Sequence, residues 1–148
     1  MKHPKYYDTT PEIRKRMGNV KLKNGDAERI LAKELWKKGF RYKKNFRGLP
    51  GSPDIAVLKY HIAVFVDGEF WHGYNWPEKK TRLKSNKEYW ITKIEENMAR
   101  DVRVDKELLA LGWIPVHFWT KEVIKNTKEC VQTICELAFD IMIQETNE

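Results

Sequence analysis

Three acidic residues bracket two short apolar runs so that their carboxylates can meet. Asp54 opens the run Ile55-Ala-Val-Leu58, and Asp67 and Glu69 follow the run Ile62-Ala-Val-Phe-Val66. If these runs pair as a hairpin through Lys59-Tyr60-His61, the ends at Asp54 and Asp67 lie side by side. Hard oxygen ligands gathered in this way suit Mg²⁺, which takes one or two carboxylates and completes its shell with phosphate oxygens and water. Such an ion activates water and neutralises charge that builds on a scissile phosphate. Each acid taken singly also fits turn chemistry, Asp54 after Pro53 and Asp67 before Gly68. Their convergence beside a basic surface is what favours catalysis.

The elements that must position these groups are legible from periodicity and breakers. A helix is expected over about Asp26 to Lys38, with Asn24 or Asp26 as cap, Ile30, Leu31 and Leu35 as its apolar stripe, and Gly39 as its end. An extended stretch from Phe40 to Phe46 leads into the breaker-rich turn Gly48-Leu-Pro-Gly-Ser-Pro53. The runs 54–58 and 62–66 are apolar at nearly every position, which suggests strands buried on both faces of a sheet. Phe70 to Arg82 reads as an irregular, aromatic and basic loop.

A long helix is expected over about Asn86 to Leu111, stopped by Gly112 and weakened in its middle by the β-branched Val102 and Val104. Trp113 to Trp119 reads as a strand whose Pro115 argues for a sheet edge or a bulge. A last helix covers about Asn126 to Gln144. This order gives an α/β protein, a mixed central sheet flanked by helices. Residues 1–23 read as a basic N-terminal arm and 24–148 as one domain. Trp36, Trp113 and Trp119 are expected in the core.

The chain has 148 residues, 41% hydrophobic and 33% charged, the balance of a globular protein large enough to bury a core. No apolar run approaches the roughly 20 residues that span a bilayer, and the N-terminus lacks the apolar core of a secretory signal. A cytoplasmic protein without membrane contact is expected. Cys130 and Cys135 fall on different faces of a helix, as ordinary thiols do. The net charge is +7, with lysine and arginine crowded into the first 48 residues and again at Lys79, Lys80, Arg82, Lys84 and Lys87. Phosphate backbones attract such surfaces by counterion release, whatever the base sequence.

Together the motifs resemble a known family. Pro53-Asp54, followed by Asp67-Gly-Glu-Phe-Trp-His-Gly73, is similar to the very-short-patch-repair (Vsr) mismatch endonucleases. That family is a branch of the restriction-endonuclease-like PD-(D/E)xK fold. The likeness runs from about Thr9 to Thr120 and takes in Glu28, Leu49-Pro-Gly-Ser-Pro-Asp54, Trp90-Ile-Thr-Lys-Ile94, Asn97-Met-Ala-Arg-Asp101 and Leu111-Gly-Trp113. The resemblance implies a catalytic set of Glu28, Asp54, His72 and Asp101. In it Asp54 binds Mg²⁺ directly, His72 moves the proton, and Glu28 and Asp101 hold water around the ion. A histidine can do this because its pKa lies near neutrality. Trp90, Ile94, Asn97 and Asp101 recur at helical spacing and so share one face.

The resemblance also implies that Phe70, Trp71 and Trp90 wedge into the base stack. The charge of the basic arm points to Arg14, Lys15 and Arg16 as DNA contacts. It implies double-stranded DNA as partner, a monomer nicking beside a T:G mismatch, and a functional association with a DNA cytosine methyltransferase. Two departures stand out. A structural zinc is usual in the family, but the matching positions are Glu69, Tyr74, Trp76 and Thr120 or Lys121, which make no zinc set. No structural zinc is therefore expected, its place being taken by aromatic packing from Tyr74 and Trp76. A threonine whose carbonyl touches metal becomes Val66, and a neighbouring histidine becomes Asp67, which adds Val66 and Asp67 to the metal candidates beside Asp54. A restriction or homing-type cutter of intact duplex, or a DNA-binding module without catalysis, are the alternative readings.

Overall fold

The computed structural model describes residues 25–147. Helix α1 (Asp26–Lys37) is followed by strands β1 (Lys43–Lys44), β2 (Ile55–Val57) and β3 (Ile62–Asp67). Helices α2 (Trp76–Arg82) and α3 (Lys87–Ala110) lead to strand β4 (Ile114–Trp119), and α4 (Thr120–Lys125) and α5 (Thr127–Asn147) end the chain. The four strands form one sheet in the order β1-β2-β3-β4. β2 pairs antiparallel with both β1 and β3, whereas β4 lies parallel to β3. The sheet is mixed, as expected from the sequence.

Alternation along β2 and β3 sorts the core into two layers. Ile55, Val57, Ile62, Val64 and Val66 face α1, α4 and α5, where Leu31, Leu35, Val123 and Ile134 are fully buried. Ala56, Ala63 and Phe65 face the other way and pack under Leu108 and Trp113. Successive side chains of a strand point to opposite faces, so an unbroken apolar run is the signature of a strand covered on both. The two alanines leave room for α3 to come close. β4 is an edge strand, which is why Pro115 is tolerated opposite Ala63.

Several local expectations are corrected. α1 begins after Gly25 in a left-handed conformation with no side-chain cap, and Asp26 lies inside the helix, paired with Arg29. Asn24 falls outside the described residues. The stretch from Phe70 to Arg82 is not irregular throughout, because Trp76–Arg82 is helical with Pro77 in its first turn. A separate helix, α4, precedes the last one. Trp36 is half exposed rather than buried, its ring covered by the Arg41 guanidinium 3.6 Å away. Trp113 is buried and Trp119 partly so. Cys130 and Cys135 are both free thiols. No described helix is long and apolar enough to cross a membrane.

Candidate active site

The carboxylates converge at one end of the sheet because the hairpin register delivers them there. Ile55 pairs with Val64, so Asp54, just before β2, sits beside the end of β3. Its Oδ2 accepts the backbone N–H of Val66 at 2.7 Å. Asp54 is buried and also hydrogen-bonds the side chain of Glu28 from the first turn of α1. Burial pushes its pKa up, the Val66 N–H opposes this, and the charge of neighbouring Asp67 raises it further. Two buried carboxylates set side by side form a site that favours a cation.

Asp67 links this pair to a second group. Its Oδ1 lies 3.9 Å from His72 Nε2, and His72 Nδ1 lies 2.6 Å from Asp101 Oδ2. One ligand atom from each of Asp67, His72 and Asp101 falls within 4.8 Å of the others, a grouping able to hold a metal ion. His72 is buried in the turn after β3, and the turn is shaped for its place. Gly73 has φ +75°, and a Cβ there would run into Met98 on α3. Gly51, also at φ +75°, would push a Cβ to 2.6 Å from Val104. These glycines let both loops lie against α3. A cavity of about 300 Å³ opens between them, lined by His72, Asp101, Arg100, Phe65 and His117.

The helical face read from the sequence is the one that α3 turns to the site. Ile94 is fully buried. Asn97 Nδ2 donates to the Trp71 carbonyl at 3.2 Å, and Asp101 engages His72 one turn on. Trp90 packs edge-on against Trp71 and Phe70, at 5.4 and 5.8 Å between ring centroids. Trp71 is buried beneath this cluster, while Phe70 and Trp90 stay partly open to solvent. Arg14, Lys15 and Arg16 lie outside the described residues.

Where the resemblance would put zinc ligands, ordinary contacts occupy the side chains. Glu69 accepts the Lys121 backbone N–H at 2.9 Å, Tyr74 packs edge-on against Trp119, and Trp76 Nε1 donates to Glu95 at 2.9 Å.

One residue of the site was missed in the sequence. His117, in the middle of β4, stands opposite Phe65 in the parallel ladder, and the two rings stack at 4.7 Å. Asp67 is two residues beyond Phe65 and so projects from the same face, diagonally within reach. His117 Nδ1 lies 2.7 Å from Asp67 Oδ2, and Nε2 lies 2.7 Å from Asp105 Oδ1 on α3. Burial lowers its pKa, but the two carboxylates outweigh that and push it up to about 9. Position 67 thus carries the carboxylate, and an imidazole reaches it from the next strand.

Comparison with known proteins settles the family. The family model described as DNA mismatch endonuclease Vsr matches residues 6–78. Across 132 residues, 88% of this chain and 89% of the relative, the chain is 45% identical to the type II nicking enzyme V.NmeDIP of Neisseria meningitidis serogroup C. The chain belongs to the Vsr family. It is 48% identical over 122 residues to the type II nicking enzyme V.HpaIIP of Haemophilus parainfluenzae, covering 81% of this chain and 86% of that one. The Vsr DNA mismatch endonuclease of Escherichia coli K12 is 31% identical over 105 residues, 71% of this chain and 67% of its own. As a Vsr-family member the chain is a DNA endonuclease.

Proposed function

We propose that this chain nicks one strand of duplex DNA beside a T:G mismatch, as a monomer that depends on Mg²⁺. The observation that carries the chemistry is the connected array Glu28–Asp54–Asp67–His72–Asp101 at one end of the sheet. Relatives named as nicking enzymes and as a mismatch endonuclease support the choice of reaction and substrate. A T:G pair arises when 5-methylcytosine deaminates, which would associate such an enzyme with a cytosine methyltransferase.

Asp54, Asp67 and the Val66 carbonyl would hold the ion, since two buried carboxylates and a backbone oxygen form a hard oxygen set. When bound, Mg²⁺ supplies charge neutralisation at the phosphate and lowers the pKa of water. With its Nδ1–H donating to Asp101, His72 turns the lone pair of Nε2 towards Asp67, where it takes the proton of attacking water. Glu28 and Asp101 orient water around this centre. Phe70 and Trp90 offer aromatic edges to an unstacked base step. Arg14, Lys15 and Arg16, in the basic arm 1–23 ahead of the nuclease domain 24–148, would track the backbone.

Supercoiled plasmid with and without Mg²⁺ tests this assignment. Asp54→Ala should remove nicking, by about a thousandfold or more, while DNA binding persists or tightens as a repelling charge is lost. A folded variant that nicks at the wild-type rate would overturn it.

A further inference from the structure

The array described above accounts for the acids and for His72 but leaves His117 unused. Its imidazole is held on three sides. Phe65 lies flat against the ring, with an interplanar angle of 10°. Asp67 Oδ2 and Asp105 Oδ1 each face one ring nitrogen at 2.7 Å. A carboxylate oxygen can only accept, so both nitrogens must donate, and the ring spans the two acids as a fixed bridge.

We propose that His117 is a positioning residue of the active site, which pins Asp67 by Oδ2 so that Oδ1 is presented to His72 and to the divalent cation. Asp105 and Phe65 hold the imidazole, and the imidazole holds Asp67. Without the bridge, Asp67 would be an acid beside another acid, Asp54, and would turn away from it. Ordering the ligand before the ion arrives lowers the cost of binding, as hydrogen-bonded neighbours of metal ligands commonly do. This inference rests on the assignment of Asp67 to the metal made above. It adds a residue from β4, a strand to which the catalytic set assigned nothing.

Calorimetric titration of the DNA-free protein with Mg²⁺, paired with the Mg²⁺ half-saturation of nicking, tests it. His117→Phe keeps a flat ring on Phe65 but loses both donors, and His117→Gln keeps one donor for Asp67. The phenylalanine variant should bind Mg²⁺ about tenfold more weakly and half-saturate at correspondingly higher Mg²⁺. Its nicking rate at saturating Mg²⁺ should stay within about threefold of wild type. The glutamine variant should bind within about threefold of wild type, a rescue that loss of packing alone would not give. Wild-type binding by His117→Phe overturns the proposal, provided that Asp67→Asn weakens binding. If Asp67→Asn also binds as wild type, the assignment of Asp67 to the metal has failed instead. Should His117→Phe not fold, Asp105→Asn decides, since it never touches Asp67. Weaker Mg²⁺ binding by that variant supports the bridge, and unchanged binding overturns it.

Discussion

His72 Nδ1 and Asp101 Oδ2 stand 2.6 Å apart, which fixes the imidazole's orientation and tautomer from a residue 29 positions further along the chain. The pair should behave as one catalytic unit. His72→Ala should slow nicking by about a hundredfold to ten-thousandfold, the range of general acid–base catalysis. Asp101→Asn keeps the shape but weakens the preference for the reactive tautomer, so it should cost less. The double variant should lose far less than the two single losses combined, because Asp101 acts mainly through the ring that has been removed. Single-turnover rates of the three proteins check this, and additive losses would separate the two residues.

The bridge made by His117 has a signature in stability. Its pKa is 6.5 in the absence of neighbours and about 9 in the folded protein. A folded pKa above the unfolded one contributes stability that is whole below 6.5 and is lost as pH rises through 9. In chelator-treated protein, the melting temperature of wild type relative to His117→Phe should therefore decline across that window. A difference between the two proteins that stays flat or grows from pH 6.5 to 9 would contradict the charged bridge.

Metal analysis checks the departure from the family's usual zinc. Glu69, Tyr74 and Trp76 are engaged with Lys121, Trp119 and Glu95, and they make no soft nitrogen or sulfur set. The purified protein should hold no stoichiometric zinc, and strong chelators should leave its melting temperature unchanged. One tightly held zinc per chain would refute this.

The acidic pair, His72 and the α3 face were legible because each is local: two strand ends joined by a hairpin, a loop just beyond, a periodic helix. His117 was not, because its partners Asp67 and Asp105 come from other elements, and a single histidine in an apolar strand carries no spacing signal. Knowing that β4 pairs parallel with β3 in register Phe65–His117 would have placed it on the face of Asp67. α2 was hidden by its aromatic and basic composition, although Pro77 fits the first turn of a helix. Trp36 was expected in the core. Its place one residue beyond the buried Leu35 turns it away from the sheet, where Arg41 covers it.

The burial of Trp71 divides the aromatic trio. Trp71→Ala should cost about 3–5 kcal/mol of stability, as expected for a large core side chain. Phe70→Ala and Trp90→Ala, whose rings are partly open, should instead reduce discrimination between mismatched and matched DNA. Chemical denaturation and paired cleavage rates distinguish the two effects. A loss of discrimination confined to Trp71→Ala would reverse the assignment.

Nicking rates on two duplexes that differ at one base pair bear most directly on the account. With Mg²⁺ in excess, a duplex carrying T:G should be cut on one strand at least about tenfold faster than its T:A counterpart, about 1.4 kcal/mol in barrier. The preference follows from unstacking, which costs a few kcal/mol at a sound pair and less at a mismatch. Equal rates on the two duplexes, or cutting of both strands at one intact sequence, would contradict mismatch nicking and favour a restriction-type enzyme.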